Sequence, residues 1–182
     1  LYDLIFRPDR IVAIDHDPNP VDELENYIVN YRKEASVKPY YGVSQDDREN
    51  MERLLSSEFP ARNIDLIVDD ASHLYMQTRE AFNICFPYLA PDGLYVIEDW
   101  AWAHWTGDYW QKENAYFKDK PALSNLVVEL CMLSARRPDL VSELHVDHNT
   151  VTVRRGDGKL SEGRFDIADH YLLRGQKFAP TL

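Results

Sequence analysis

Two apolar segments of the chain end in acidic residues, and a histidine follows the first of them. The segment from Ile64 runs into DDASH at residues 69–73, and the segment from Leu94 runs into Glu98 and Asp99. If both segments are parallel neighbouring strands, their ends lie side by side at the carboxyl edge of a sheet, where open α/β sheets bind ligands. Carboxylates held together repel one another unless a cation lies among them. The pattern therefore predicts a metal-assisted active site.

The flanking pattern predicts strands that alternate with helices. Strands are predicted at 10–15, 37–41, from 64 and at 94–97, and helices at 21–33, 48–56 and 77–89. This βαβαβαβ order implies a parallel sheet with right-handed crossovers. A helix at 121–137 and an antiparallel hairpin at 142–155, turning near His148 and Asn149, complete the pattern.

The length of 182 residues is enough for one domain with a full core. We expect this domain to span residues 1–155, and residues 156–182 to form an extension that packs on it or trails from it. Residues 100–120 contain all four tryptophans among polar side chains. This segment predicts either a loop that covers a substrate or a surface that binds a partner.

The composition of the chain argues against two classes of partner, nucleic acids and membranes. The net charge of −11, with no run of lysine or arginine, argues against a nucleic-acid partner. No stretch approaches the roughly 18 apolar residues of a membrane span, so no membrane partner is expected. Cys85 and Cys131 both lie in apolar helical patterns, which predicts buried reduced thiols and favours a cytoplasmic location.

The strand ends resemble those of a known class of enzymes. VAIDHDP, YYGVSQD, LIVDDASH and LYVIEDW, followed by a helix and a hairpin, resemble class I S-adenosylmethionine-dependent methyltransferases. DDASH followed by FPYLAPDGLYVIEDW is similar to metal-dependent O-methyltransferases of antibiotic biosynthesis, which include macrolide-sugar methyltransferases and a cephalosporin-hydroxylase-like group. The resemblance covers residues 10–105. It implies a Rossmann-like doubly wound α/β sheet, mostly parallel with a C-terminal antiparallel hairpin.

The resemblance also implies residues that bind S-adenosylmethionine. Asp15 matches the acid that accepts hydrogen bonds from the ribose hydroxyls, and Ser44 and Gln45 match the loop that lines the adenine. Asp69 would orient its neighbours or meet the amine of the cofactor. Two simpler alternatives stay open: Asp15 could cap a turn, and Ser44 or Asp46 could cap the helix that follows.

The metal ligands implied by the resemblance are Asp70, Glu98 and Asp99, whose hard oxygen atoms suit Mg²⁺. His73 matches the general base, because histidine exchanges protons near neutral pH. Two vicinal sugar hydroxyls could chelate the metal, which lowers the pKa of each. The alternative is that the acids are helix caps or solvated loop residues, and that His73 is a surface or capping imidazole.

The aromatic segment supplies the acceptor site in this interpretation. Trp100, Trp102 and Trp105 would stack on the faces of a sugar or polyketide, and His104 would touch the substrate. Covering the core or forming an interface is the alternative for the tryptophans, and an exposed loop position is the alternative for His104.

The chain departs from the family pattern in two respects. Its first ten residues contain no glycine, so we expect the first strand and its glycine-rich turn to be missing from this chain. Either that element precedes Leu1 in a longer protein, or the chain is a degenerate form. DDASH and PDG also replace the glycine-richer DDGSH and PGG, and Ala71 is tolerated unless its position needs a positive φ.

Three functions remain open from the sequence. The leading hypothesis is an S-adenosylmethionine-dependent, Mg²⁺-assisted O-methyltransferase that acts on a hydroxyl of a small molecule, such as a sugar on a natural product. The alternative is a non-catalytic methyltransferase-like domain for binding or dimerisation. A metal-dependent hydrolase or hydroxylase is the third. The aromatic surface also raises the expectation of a homo-oligomer.

Overall fold

The computed structural model describes residues 1–160 and 163–181, which alternate between helices and strands. The elements in chain order are α1 (Tyr2–Phe6), β1 (Ile11–Asp15), α2 (Asp22–Asn30), β2 (Val37–Tyr41), α3 (Arg48–Glu58), β3 (Ile64–Asp69), α4 (Tyr75–Cys85), β4 (Leu89–Glu98), α5 (Ser124–Arg136), β5 (Val141–Val146) and β6 (Thr150–Arg155). The α/β class predicted from the sequence is confirmed. So is the C-terminal hairpin, since β5 and β6 pair antiparallel around a turn at residues 147–149.

The strands form two separate sheets in the described part of the chain. β1 pairs with β2 in parallel, and a second sheet has the order β3-β4-β6-β5. β3 and β4 are parallel, whereas β6 runs antiparallel to β4. β1 and β3, which would flank the central, glycine-turn strand in the fold that the resemblance implies, do not pair with each other in the described residues.

Residues 90–93 form a bulge near the start of β4. Helix α4 ends at Cys85 and β4 begins at Leu89, so the helix is shorter and the strand longer than the sequence pattern predicts. Ile64 pairs with Leu89, but Leu66 pairs with Leu94, so residues 90–93 bulge from the ladder. A bulge of this kind bends the strand and increases its twist.

Two neighbouring residues of the bulge have opposite requirements. Asp92 is exposed and has a φ of 66°, in the left-handed region that glycine adopts without strain. Gly93 is buried, and a Cβ atom there would lie 2.9 Å from the carbonyl oxygens of both Ala90 and Ile64. The backbone therefore excludes a side chain at Gly93 and only mildly strains one at Asp92.

We expect Gly93→Ala to lower the free energy of unfolding by about 2 kcal/mol or more, because two backbone carbonyls must move. Asp92→Gly, one residue away, should change it by less than about 1 kcal/mol, because relief of strain offsets the greater entropy of the unfolded chain. Chemical denaturation followed by circular dichroism measures both. Equal effects of the two substitutions would show that close packing at Gly93 does not determine the bulge.

The buried carboxylate of Glu129 connects α4, the helix that follows the acidic corner, to α5. The carboxylate of Glu129 on α5, 1% exposed, accepts hydrogen bonds from the hydroxyls of Tyr75 and Tyr171, each at 2.8 Å. Arg79 Nε donates to it at 3.0 and 3.1 Å. These bonds hold the first turn of α4 against α5 and against the C-terminal segment. Buried charge of this kind is tolerated because it is fully hydrogen-bonded.

Three described residues after β6 belong to the hydrophobic core. Phe165, Ile167 and Tyr171 are buried in the core, and the amide of Thr181 donates to Asn125 at 2.8 Å. Residues 161, 162 and 182 of the predicted extension lie outside the described residues. Within the described ranges, no helix combines the length and the apolar character needed to cross a membrane.

The two cysteines differ, which corrects one expectation. Cys85 is buried, and burial raises the pKa of its thiol to about 12. Cys131 is exposed on α5, so the expectation of a buried thiol is wrong there. The helical spacing placed Cys131 on the apolar face, but the buried face of α5 runs through Leu126, Leu130 and Leu133.

Candidate functional site

The pairing of β3 with β4 brings the two acidic strand ends together, as the sequence predicts. Asp69 lies opposite Ile97 in the parallel ladder, so the next residues, Asp70 and Glu98, leave the sheet at the same edge. Single ligand atoms of Asp70, His73 and Asp99 lie within 4.8 Å of one another. Two carboxylates and an imidazole therefore converge at the carboxyl edge of this sheet.

The backbone is strained at two members of this cluster. His73 and Asp99 each have a φ of 55°, a left-handed conformation that is uncommon outside glycine. Such strain persists only where the surrounding structure imposes it, and it concentrates at functional sites. Ala71 is not among the residues with positive φ. The alanine of DDASH therefore occupies a position that does not require glycine.

His73 is held so that one ring nitrogen faces the acids. Its Nδ1 lies 3.4 Å from the carbonyl oxygen of Glu98, and its Nε2 lies 3.8 Å from Oδ1 of Asp70. A carbonyl oxygen only accepts, so the first contact favours the proton on Nδ1 and the lone pair on Nε2. The ring of Trp102 packs against the imidazole at a centroid distance of 4.2 Å. The side chain of His73 is only 12% exposed.

The Glu98 carboxylate lies beside the cluster of Asp70, His73 and Asp99 and is not one of the three groups whose ligand atoms lie within 4.8 Å of one another. Its pKa is raised by desolvation and by the negative charges of Asp70 and Asp99. These charges destabilise one another, and a bound cation would reverse the effect. The mutual repulsion of these carboxylates therefore favours a cation at this corner. Glu98 lies near enough for such a cation to affect its pKa.

Asp69 contacts its neighbours and not the solvent. Its carboxylate accepts a hydrogen bond from the Tyr95 hydroxyl at 3.0 Å, and the backbone amide of Ala71 also donates to it. Burial raises the pKa of Asp69 to about 6. Of the two roles expected for this residue, the contacts match the one in which it orients the neighbouring loop.

This pKa gives a pH dependence of stability. The folded value of about 6 lies above the value of an unfolded aspartate, so the folded state retains the proton as pH rises. The stability contributed by neutral Asp69 is present below pH 4 and is lost as pH rises through 6. In EDTA, from pH 4 to pH 7.5, we expect the wild type to lose about 3 kcal/mol of unfolding free energy relative to Asp69→Asn. Parallel curves of stability against pH for the two proteins would contradict this assignment.

The loop after β2 is joined to the acidic corner through Gln45. The side-chain oxygen of this buried residue accepts from the backbone amide of Ser72 at 3.1 Å, and its Nε2 lies 3.4 Å from the hydroxyl of Thr78. The Ser44 hydroxyl donates to Asp46 at 2.5 Å. Neither Ser44 nor Asp46 caps α3. The cap is Asp47, whose side chain accepts from the amide of Asn50 at 3.2 Å.

Asp15 lies next to the same loop. Its carbonyl oxygen accepts from the amide of Val43 at 2.9 Å, and its carboxylate, 45% exposed, accepts from the amide of Asp17 at 2.9 Å. The second contact is the turn-capping bond expected as an alternative, and it leaves the carboxylate accessible. A chain of contacts thus runs from Asp15 through the loop at residues 43–45 to Ser72.

An aromatic cleft of about 590 Å³ opens beside His73. Of the four residues predicted to contact an acceptor, Trp100, Trp102 and His104 line this cleft. Trp105 is outside the lining and packs on Trp102 with centroids 6.1 Å apart. The Trp100 Nε1 donates to the carbonyl of Asp147 in the β5–β6 turn at 3.0 Å. The lining is therefore anchored to both the acidic corner and the hairpin.

Several residues of this cleft were missed from the sequence. Trp110 and Phe117 also line it, and Trp102 packs against both, with ring centroids 5.2 and 5.6 Å apart. The Tyr116 hydroxyl donates to the carbonyl of Ser72 at 2.8 Å, so the aromatic segment is bonded to the loop that carries His73. The density of aromatic residues signalled the segment, but spacing alone could not identify which rings meet.

Comparison of the sequence with known proteins finds a family and several partial relatives. A family model described as a methyltransferase domain matches residues 4–100. The L-olivosyl-oleandolide 3-O-methyltransferase of Streptomyces antibioticus is 41% identical over 76 residues, which is 42% of this chain and 19% of the relative. The mycinamicin VI 2''-O-methyltransferase of Micromonospora griseorubida is 40% identical over 63 residues, 35% of this chain and 15% of the relative. The chain spans less than a fifth of the length of these relatives.

Solved structures show the same fold. MycE methyltransferase from the mycinamycin biosynthetic pathway, in complex with Mg and SAH, superposes with a TM-score of 0.55 at 23% identity, over 85% of this chain and 39% of that one. Its complex with Mg, SAH and mycinamycin VI gives a TM-score of 0.54 at 22% identity, over 89% and 51%. This likeness confirms a Rossmann-like methyltransferase fold.

Proposed function

Because this chain belongs to the methyltransferase-domain family, we propose that it transfers the methyl group of S-adenosylmethionine to a hydroxyl of a small molecule with the help of Mg²⁺. The observation that carries the proposal is the convergence of Asp70, Asp99 and the Nε2 face of His73 at one sheet edge. Relatives named for O-methylation of sugar-bearing macrolides, and related structures that hold Mg and SAH, support it.

The residues at the acidic corner fit a hard divalent cation. Carboxylate oxygens from Asp70 and Asp99 are the ligands that Mg²⁺ prefers, and the ion keeps open positions for substrate oxygens. Glu98 is proposed as a further ligand, since it follows Ile97 at the same sheet edge and its pKa is raised by desolvation and by the nearby charges of Asp70 and Asp99. When bound, the cation would lower the pKa of an acceptor hydroxyl at its open position.

The protein's own groups then carry the proton and hold the reactants. Nε2 of His73 takes the proton of the acceptor hydroxyl as its oxygen forms a bond to the methyl carbon. S-adenosylmethionine, when bound, would supply the methyl group, and the electron pair of its carbon–sulfur bond would stay on sulfur in the S-adenosylhomocysteine released. The strained backbone of His73 and its contact with the Glu98 carbonyl fix the direction of Nε2. The proton and the methyl group are therefore accounted for without a further reactant.

The cofactor would lie along the chain of contacts from Asp15 to Ser72. The accessible carboxylate of Asp15 can accept both hydroxyls of a ribose, and the loop with Ser44 and Gln45 would line the adenine. The side chain of Gln45 is already bonded inside the protein, so this loop would meet adenine through its backbone and Ser44. Asp69 would act only by orienting the loop that leads to His73.

We propose a hydroxylated acceptor with a sugar or similar ring that lies in the aromatic cleft. Trp100, Trp102 and His104 line it, and stacking on aromatic rings selects ring shape without requiring charge. Trp105 supports Trp102 from behind. The cleft begins at His73, so a hydroxyl of the ring can reach the acidic corner while the rest of the molecule occupies the aromatic lining.

A non-catalytic domain is the second candidate, because β1 and β3 do not pair in the described part of the chain. Titration calorimetry with S-adenosylhomocysteine, with and without Mg²⁺, separates the two candidates. The proposed enzyme binds the nucleoside and loses methyl transfer in excess EDTA. A protein that binds no S-adenosylhomocysteine at millimolar concentration would support the non-catalytic domain. Methyl transfer that is unchanged in EDTA would contradict the role of the metal.

A further inference from the structure

The imidazole of His73 offers a metal ion a nitrogen ligand at the site to which the proposed function assigns Mg²⁺. Ligand atoms of Asp70, His73 and Asp99 lie within 4.8 Å of one another. Atoms bound at about 2.1 Å to one ion lie roughly 3 to 4 Å apart, so only a small closure is needed. The side chain of Asp70 is 57% exposed, which leaves room for that rotation.

The lone pair available to a metal is the one that would accept the substrate proton. Nδ1 of His73 faces the carbonyl oxygen of Glu98 at 3.4 Å, which assigns the lone pair to Nε2. Nε2 faces Oδ1 of Asp70 at 3.8 Å. A nitrogen that is bound to a metal cannot also take a proton. Metal ligation by His73 and its use as a base are therefore mutually exclusive.

Metal ions differ in how strongly they bind an imidazole nitrogen such as Nε2 of His73. Mg²⁺ prefers oxygen and keeps several water molecules, so it can bind the carboxylates and leave His73 free. Co²⁺, Ni²⁺ and Zn²⁺ bind imidazole readily and have higher affinity for mixed nitrogen and oxygen sites. We propose that these three ions bind at Asp70 and Asp99 with His73 as the third ligand, displace Mg²⁺ and inhibit methyl transfer by occupying the base. This inference rests on the proposed function for the roles of Mg²⁺ and His73.

Titration with Co²⁺ alone tests the proposal, because its visible absorption reports the ligands while calorimetry reports affinity. His73→Asn removes the imidazole and keeps a residue that tolerates the left-handed backbone. His145→Ala is the matched control, since it removes an imidazole from β5, which is separated from β4 by β6. We expect His73→Asn to weaken Co²⁺ binding by at least about 10-fold and Mg²⁺ binding by less than about 2-fold. His145→Ala should change neither.

The outcomes distinguish this inference from the proposed function. Co²⁺ affinity and spectrum that are the same in the wild type and His73→Asn would overturn the inference. If Asp70→Asn loses Mg²⁺ binding at the same time, the metal site itself stands and only the ligand role of His73 fails. If Asp70→Asn binds Mg²⁺ as the wild type does, both the inference and the metal site of the proposed function are wrong.

Discussion

Replacing Asp70 with asparagine is expected to reduce Mg²⁺-dependent methyl transfer by about 1,000-fold, which corresponds to about 4 kcal/mol of transition-state stabilisation. Asparagine keeps the shape of the side chain but removes one of the negative charges that hold the cation. Asp70 is 57% exposed and forms no hydrogen bond that supports the fold in the described residues, so the protein should remain folded. Initial rates at saturating S-adenosylmethionine, measured against Mg²⁺ concentration, give the result.

Asp65→Asn is the matched control for this variant. Asp65 is an exposed acid near the start of β3, whereas Asp70 directly follows the end of that strand, so Asp65→Asn removes an equal charge from the opposite end. We expect its rate to be within about 2-fold of the wild type, since a surface charge at that distance is screened. S-adenosylhomocysteine affinity should be similar in both variants. If Asp70→Asn has the activity of Asp65→Asn, the acidic corner does not hold a catalytic metal.

Replacing His73 with asparagine is expected to lower kcat by about 100- to 10,000-fold, the usual contribution of a general base. Asparagine is among the few residues that occupy a φ of 55° readily, so the effect should come from the lost imidazole and not from the backbone. S-adenosylhomocysteine affinity should be preserved, because His73 lies in the loop after β3 and not in the loop with Ser44 and Gln45 that would line the adenine.

The control for His73 is again His145→Ala, which lies outside the cleft and should keep the rate of the wild type. Single-turnover rates separate the chemical step from substrate binding for both proteins. A His73→Asn enzyme whose kcat is unchanged while its KM for the acceptor rises would assign His73 to substrate binding instead of proton transfer.

The sequence predicted the acidic corner because the two features that build it are local. Each apolar run ends directly in its acids, and parallel pairing of β3 with β4 then places Asp70 beside Glu98 and Asp99. The period of the pattern and the position of the acids are enough for this inference. The hairpin of β5 and β6 was predictable for the same reason, since strand pattern and turn residues lie within one short segment.

Other features depend on contacts between distant segments. The left-handed backbone at His73 and Asp99, the buried bond of Gln45 to Ser72 and the bond of Tyr116 to Ser72 are set by tertiary packing. No local pattern encodes them. The bulge in β4 could not be predicted from local pattern, because Pro91, Asp92 and Gly93 are turn residues by propensity. The strand nevertheless pairs with β3 on both sides of them, at Leu89 and at Leu94.

We propose Asp15, Ser44, Gln45 and the aromatic residues as site residues because of their positions. Asp15 stays accessible at the end of β1, and the cleft lies beside His73, so the arrangement can hold a nucleoside and a ring at the same sheet edge. The proposed roles of all these residues depend on the acidic corner, because the proposed reaction requires a cation bound there.

The most direct test of that claim is a crystal structure of the protein soaked in Mn²⁺, with anomalous diffraction used to locate the ion. Mn²⁺ accepts the same hard oxygen ligands as Mg²⁺. We expect an anomalous peak about 2.2 Å from carboxylate oxygens of both Asp70 and Asp99, with Glu98 turned toward it. Density for these side chains without any peak between them at saturating Mn²⁺ would show that the acidic corner does not bind the cation.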